Sequence, residues 1–146
     1  MSLVLEVLGV DEQQFIGIVR NCREAIHKSV NYTAQNTLAR VKINAPKDHG
    51  RLAGSFQLHK DDDLTYRVFT KVKYALMVNN GTGEFGPNKR PITPKNGEYL
   101  VFNIGSRTIF TKEVKGQKPN PYIDTSIDET KTRLQEFIEK SIQEVA

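Results

Sequence analysis

The residues whose types could do chemistry are few. They are three histidines (His27, His49 and His59), one cysteine (Cys22), and an acidic run, Asp61–Asp62–Asp63, with Asp48 upstream. The histidines fall into no metal-ligand spacing, and a lone cysteine adds no zinc pattern. The three aspartates could gather a cation together with Asp48, but a charged hairpin turn accounts for them more simply. Gly81, Gly83 and Gly86 lack the following lysine and the strand-to-helix setting of a phosphate loop. No nucleophile elbow is present. The expectation is therefore no catalytic residue, no metal site and no cofactor. One binding pattern stands out: the strand Tyr66–Arg67–Val68–Phe69–Thr70–Lys71–Val72–Lys73–Tyr74 is basic and carries aromatic side chains. Such a strand can stack bases and touch phosphates. A sheet strand with solvated lysines on its outer face explains it as well. A small basic domain that binds nucleic acid non-specifically is the alternative function.

The chain that must position these residues has 146 of them, enough for one domain with a modest core. Hydrophobic residues make up 38 % and charged residues 26 %, which suits a folded, water-facing chain. The formal charge of +4 permits contact with nucleic acid without demanding it. No apolar run approaches the roughly 20 residues of a membrane span. The opening MSLVLEVLGV lacks a basic front and a small-residue cleavage pattern, so a secretory signal is not expected. One cysteine allows no internal disulfide, which fits a reducing compartment, and Cys22 reads as a small core residue.

Leu3 to Leu8 suggest a short first strand, broken at Gly9. Asp11 is a good N-cap, with Glu12 in the first turn. Phe15, Val19, Cys22, Ile26, Val30, Ala34, Leu38 and Val41 then recur in steps of three and four, which predicts one long helix over Glu12–Ile43 stopped by Pro46. Asp48 can cap a short helical turn through Leu52. Ser55–His59 and Leu64–Val72 predict a hairpin closed at Lys60–Asp63. Glu98–Ile104 and Arg107–Val114 predict a second hairpin around Gly105–Ser106. Tyr74–Val78 suits a helical turn or a strand end. The last helix is expected over Ile123–Val145, with Ile123, Ile127, Leu134, Phe137, Ile138, Ile142 and Val145 on its apolar stripe. The fold class is α+β: one antiparallel sheet of two hairpins plus the N-terminal strand, with the long helix and the C-terminal helix packed on one face.

Between the hairpins, Asn79 to Asn96 holds three glycines and three prolines and cannot be regular throughout. A loop this long in a small domain is usually functional. Its composition suits an arm that orders against a neighbouring subunit, with Asn79, Asn80, Gly81, Thr82, Phe85, Lys89, Arg90 and Ile92 as the contact residues.

The order of motifs resembles the head–tail joining (neck, tail-completion) family of siphophage and prophage virion proteins. Leu5 to Glu12 looks like that family's strand leading into a long helix. Ala45–Pro46–Lys47–Asp48–His49–Gly50–Arg51–Leu52, with Ser55, is similar to its Ala-Pro-x-Asp-Thr-Gly-x-Leu-x-x-Ser signature. Tyr74–Ala75, Val78 and Gly81–Thr82 are similar to its Tyr-Ala-x-x-Val-Glu-x-Gly-Thr signature. Pro94 through Val114 to Pro119–Asn120–Pro121–Tyr122 looks like its final hairpin and the entry to its last helix. His49 stands where the signature has threonine, and Asn79 where it has an acid. Thr125 and Ser126 stand where proline and alanine are frequent. The resemblance implies a single head–tail joining domain over residues 1–146, with 79–96 as its assembly loop and no enzymatic activity. It implies a ring, hexameric by preference and dodecameric as the variant, at the head–tail junction of the virion. Assembly would occur in the host cytoplasm. The implied partners are the head connector or stopper and the tail tube, with transient, non-specific contact to passing DNA and none to a membrane.

Overall fold

The computed structural model describes residues 11–47 and 50–146. Helix α1 runs over Glu12–Asn44. Asp11 caps it as expected, its side chain accepting from the Gln13 N–H. Ala45 is extended at ψ 138°, the conformation a residue ahead of proline is pushed into, and the helix ends there. At 33 residues, α1 is about 50 Å long.

Helix α2 covers Arg51–Ser55, and strands β1 (Gln57–Lys60) and β2 (Tyr66–Phe69) form the first hairpin. The register pairs Gln57 with Phe69 and Lys60 with Tyr66. Both strands are shorter than their sequence suggests. Ser55 belongs to α2 and bonds Thr70 hydroxyl to hydroxyl at 2.6 Å, which closes the open end of the hairpin. The chain then turns into helix α3, Ala75–Asn80, so Tyr74–Val78 is helical rather than a strand end. A 3-10 turn follows at Gly83–Phe85. Strands β3 (Leu100–Ile104) and β4 (Arg107–Thr111) make the second hairpin.

Two expectations are corrected here. The hairpins form two separate two-stranded sheets, not one. The first lies against α1. The second is followed at Val114 by an isolated bridge to Ile92 rather than by pairing with β1–β2. The predicted N-terminal strand lies outside the described residues. The C-terminal helix is also two helices, α4 (Tyr122–Thr132) and α5 (Leu134–Val145), meeting at Arg133 with φ −102° and ψ 0°. The break follows the Thr130–Thr132 stretch. There β-branched residues and hydroxyl back-bonds, such as Thr130 Oγ1 to the Ser126 carbonyl at 2.9 Å, weaken the helix.

The helices α4 and α5 run back along α1. Near its C-terminus, the Asn44 amide donates to Ser126 and Glu129 at 3.1 and 2.9 Å. Toward its middle, the Tyr32 hydroxyl donates to the Glu144 carboxylate at 2.8 Å. The seam between them is made of small residues. Ala25 and Ala34 of α1 and Ser126, Thr130 and Ser141 opposite are buried. Each buried hydroxyl donates to the carbonyl four residues back in its own helix, so no polar group is stranded.

The hydrophobic core sits at the C-terminal end of α1. Val41 and Ala45 meet Leu52 of α2, Phe56, Ala75 of α3 and Tyr122 of α4. Phe56 and Tyr122 pack edge to face with ring centroids 6.1 Å apart. Tyr122 is 1 % exposed and its hydroxyl donates to the Ala75 carbonyl at 3.1 Å. Three of the signature positions, Leu52, Ala75 and Tyr122, thus meet in one cluster. Gly50, at φ +68°, supplies the left-handed residue that starts α2. Pro46 is half-buried beside the core. Tyr74, the other half of the Tyr74–Ala75 signature pair, is 40 % exposed while Ala75 is buried. Asp48 lies outside the described residues, as does its expected capping role.

Candidate assembly surfaces

Three surfaces could carry contacts with other chains, and the first is an apolar groove. The helical stripe on α1 exists as the sequence predicts, but much of it is not covered. Phe15, Val19 and Ile26 are exposed, while the buried positions of α1 are Ala25, Ala34 and Val41. The stripe on the C-terminal helices behaves the same way: Ile127, Leu134, Ile138 and Ile142 are exposed, and Phe137 alone of its large residues is buried. Small residues win the helix seam because they let the backbones approach closely. Of the large ones, Ile26, Leu134, Ile138 and Ile142 are left facing a groove of about 880 Å³. Its floor is α1 from Cys22 to Thr37, one wall is Leu64–Val68 of the first hairpin, and the other is α5. Ser29, Thr33 and Thr37 on the floor turn their hydroxyls back to carbonyls of α1, which leaves the floor effectively apolar. Cys22 is exposed at one end of this groove, which corrects its reading as a core residue.

The second surface is the segment after α3. Asn79 is its anchor. It is buried; its carbonyl oxygen accepts from the Ile123 N–H at 2.9 Å and so caps the first turn of α4 from a different helix. Its amide donates to Asp124 at 3.0 Å and to Asn80 at 2.9 Å. An acid at position 79 would face the Asp124 carboxylate. With aspartate at 124, the amide is what the site requires, and this accounts for the departure from the signature.

Beyond Asn80, the chain is stitched to residues 114–120. The Thr82 N–H donates to Gln117 at 2.9 Å, Glu84 to Lys115 at 2.7 Å, and Asn120 back to Val78 at 3.0 Å. The Thr82 hydroxyl accepts from the Gln117 N–H. Gly83, at φ +63°, crosses this strand so closely that a Cβ there would collide with the Lys115 carbonyl. Ile92 closes the segment through its bridge to Val114. Gly81, Thr82, Arg90 and Ile92 line one cleft of about 1020 Å³. Phe85 lies outside it beneath Lys118, whose ammonium sits 5.9 Å from the ring. Lys89 is exposed with φ +52°. The expected contact residues are therefore two sets: a pinned base (Asn79 to Thr82) and an exposed rim.

The third surface is the β3–β4 hairpin, whose apolar side chains the sequence reading did not single out as contact residues. Val101 and Phe110, cross-strand partners, are 59 % and 66 % exposed. Ile104 and Tyr99 are exposed as well, so apolar side chains stand free on a projecting element. The signal was present in the sequence as apolar residues at consecutive rather than alternate positions of β3.

The chemistry-bearing residues do not converge. Each aspartate of the acidic run is engaged within the first hairpin turn. Asp61 takes Arg67 at 2.8 Å, Asp62 accepts from the Leu64 N–H at 2.8 Å, and Asp63 takes Lys60 at 2.9 Å. The Leu64 N–H, and then Thr65, hold the Asp62 carboxyl below the usual carboxylate range; Lys60 does so for Asp63. Among the described residues, no cluster of three or more His, Cys, Asp or Glu could hold a metal ion. Within the basic strand, Arg67 is tied to Asp61, and Tyr66 and Val68 line the groove, while Lys71, Lys73 and Tyr74 are exposed. Among the described residues, no helix is long and apolar enough to cross a membrane.

No curated protein and no solved structure matches the chain. Residues 18–81, from within α1 to the residue after α3, match the family described as Bacteriophage HK97-gp10, putative tail-component. The match takes in Pro46, Gly50, Leu52, Tyr74 and Ala75 and stops short of the second hairpin and of Pro121–Tyr122. That family is one of phage structural components, not of enzymes. Over residues 18–81 the chain is similar to the HK97-gp10-like family of putative phage tail components.

Proposed function

We propose that this tail component forms a ring at the head–tail junction, as a tail-completion or neck protein joining the tail to the head connector. A hexamer is favoured, with a dodecamer as the variant, and DNA passes through the lumen. The observation that carries this reading is the open groove. Two helices that obey helical periodicity along most of their length leave their large side chains uncovered in the single chain. Contiguous apolar surface of this kind marks a protein contact. The whole of residues 1–146 acts as one joining domain, with the core at the C-terminal end of α1 as the stiff part. The segment 79–96 and the second hairpin are its reaching parts. Contact with DNA is transient and non-specific, in keeping with a modest charge of +4. The ring assembles in the host cytoplasm and ends in the virion, against the stopper or connector on one side and the tail tube on the other.

Phage particles lacking this chain test the proposal. Mature heads and finished tails that accumulate without joining are the expected result. Normal yields of joined, infectious particles would rule the junction out. The mass of the purified protein, alone and with tail tubes, gives the ring number directly.

A further inference from the structure

We propose that the β3–β4 hairpin of one copy fills the apolar groove of the next copy, so that the ring grows by a head-to-tail contact. This rests on the ring reading and deepens it. The two surfaces match in size: five-residue strands are about 17 Å long, and the groove floor from Cys22 to Thr37 is about 22 Å long. They match in chemistry. Val101 and Phe110, cross-strand partners on one face of the hairpin, are exposed; Ile26, Leu64, Leu134, Ile138 and Ile142 are the large apolar side chains exposed in the groove. They also match in charge. Residues 86–118, which carry the hairpin, hold seven lysines and arginines against two glutamates. Residues 119–146, which supply one groove wall, hold six acids against three bases, and the other wall, Leu64–Val68, follows the Asp61–Asp63 turn, whose outer aspartates are already paired with Arg67 and Lys60. A basic hairpin is thus drawn to an acidic-flanked apolar trough.

The hairpin cannot easily serve its own groove. It hangs from the 82–84 and 114–117 ladder at the core end of the molecule, while the groove floor begins seven residues beyond Asn44 along α1 at Thr37 and runs away from it. Because hairpin and groove are different patches, the contact is heterologous, and repeating it through a rotation closes a ring.

The experiment uses two variants of the full chain. One carries Val101→Asp and Phe110→Asp; the other carries Ile138→Asp. All three sites are solvent-exposed, so the fold is retained. Mass is read by native mass spectrometry and light scattering. The wild type is expected as a ring, each variant alone as a single chain of 16.5 kDa, and the equimolar mixture as a heterodimer that grows no further. Formation of that heterodimer shows that each variant is folded at its intact surface. If either variant alone assembles like the wild type, the hairpin–groove contact is wrong while the ring stands. If, in addition, removal of residues 1–10 uncovers Cys22 to a thiol reagent, the groove belongs to the chain's own N-terminus. A wild type that stops at a dimer, with the mixture behaving as expected, keeps the contact and removes the ring. A wild type that stays monomeric at every concentration removes both.

Discussion

Replacing Asn79 with aspartate probes the joint between α3 and α4 with one atom's change. The carboxylate introduced there keeps an acceptor for the Ile123 N–H and sits favourably at the start of a helix, a gain of up to about 1 kcal/mol. It loses the donor that bonds Asp124 at 3.0 Å and sets two negative charges at that distance. Two unit charges 3 Å apart repel by about 5.5 kcal/mol at an effective dielectric constant of 20 and about 1.4 kcal/mol in water. Asp124 is exposed and can swing outward, so the lower part of that range applies, and the net loss is about 1–3 kcal/mol. Urea unfolding measures it as a lower midpoint with an unchanged slope. The sign with pH follows from the repulsion. It raises the folded-state pKa of the introduced carboxyl above its unfolded value, so the deficit is absent below about pH 4 and opens as pH rises through the raised pKa. Adding Asp124→Asn exchanges donor and acceptor across the pair and restores most of the loss. Asn79→Asp equal in stability to the wild type at neutral pH would refute the reasoning, as would a double variant no better than the single one.

Three further outcomes follow from the same geometry. Tyr122→Phe removes the hydroxyl's hydrogen bond to the Ala75 carbonyl in the core and costs about 0.5–1.5 kcal/mol in denaturant unfolding. Burial also pushes the Tyr122 phenol up, so its contribution is intact below the ordinary tyrosine pKa and lost as pH rises through the folded value; the phenylalanine variant lacks that alkaline loss. Gly83→Ala forces the 82–86 segment off residues 114–117, read as faster hydrogen exchange at the Thr82 and Glu84 amides with the Tyr122 core still protected. Tyr32→Phe releases Glu144, whose carboxyl is held below the usual range by the Tyr32 hydroxyl and then by Lys28. That contribution exists above the unfolded carboxylate pKa and vanishes as pH falls through the folded one. The variant and wild type therefore converge in acid, and an NMR titration of Glu144 shows the upward shift.

Much of the fold was legible in the chain. Asp11, Pro46 and the three-and-four spacing between them mark α1 to within a residue of its end, because capping, proline sterics and helical period are all local. Asp61–Asp63 marks the first hairpin turn for the same reason. The strand lengths were less legible, since Ser55 and Thr70 close the hairpin through a bond between residues 15 apart. The candidate contact residues were half legible. Proline and glycine announced irregular backbone after Asn80, but its glycines serve a crossing against residues 115–117 that no local pattern reveals. The second hairpin was legible as an element, but the exposure of Val101 and Phe110 was not, because exposed and buried apolar residues look alike in sequence.

The sequence by itself determined which faces of α1 and of the C-terminal helices are apolar, where the turns fall, and that Leu52, Ala75 and Tyr122 belong to a recognisable set. Tertiary structure alone decided where those faces point. Close backbone approach favours Ala25, Ala34, Ser126 and Ser141 at the helix seam, so the large side chains stay exposed, with Ile26, Leu134, Ile138 and Ile142 lining an open groove. It also placed Asn79 against the first turn of α4 and Asp124. Burial, partner and charge at that position are relations between segments 44 and 45 residues apart, and they exist only once the chain has folded.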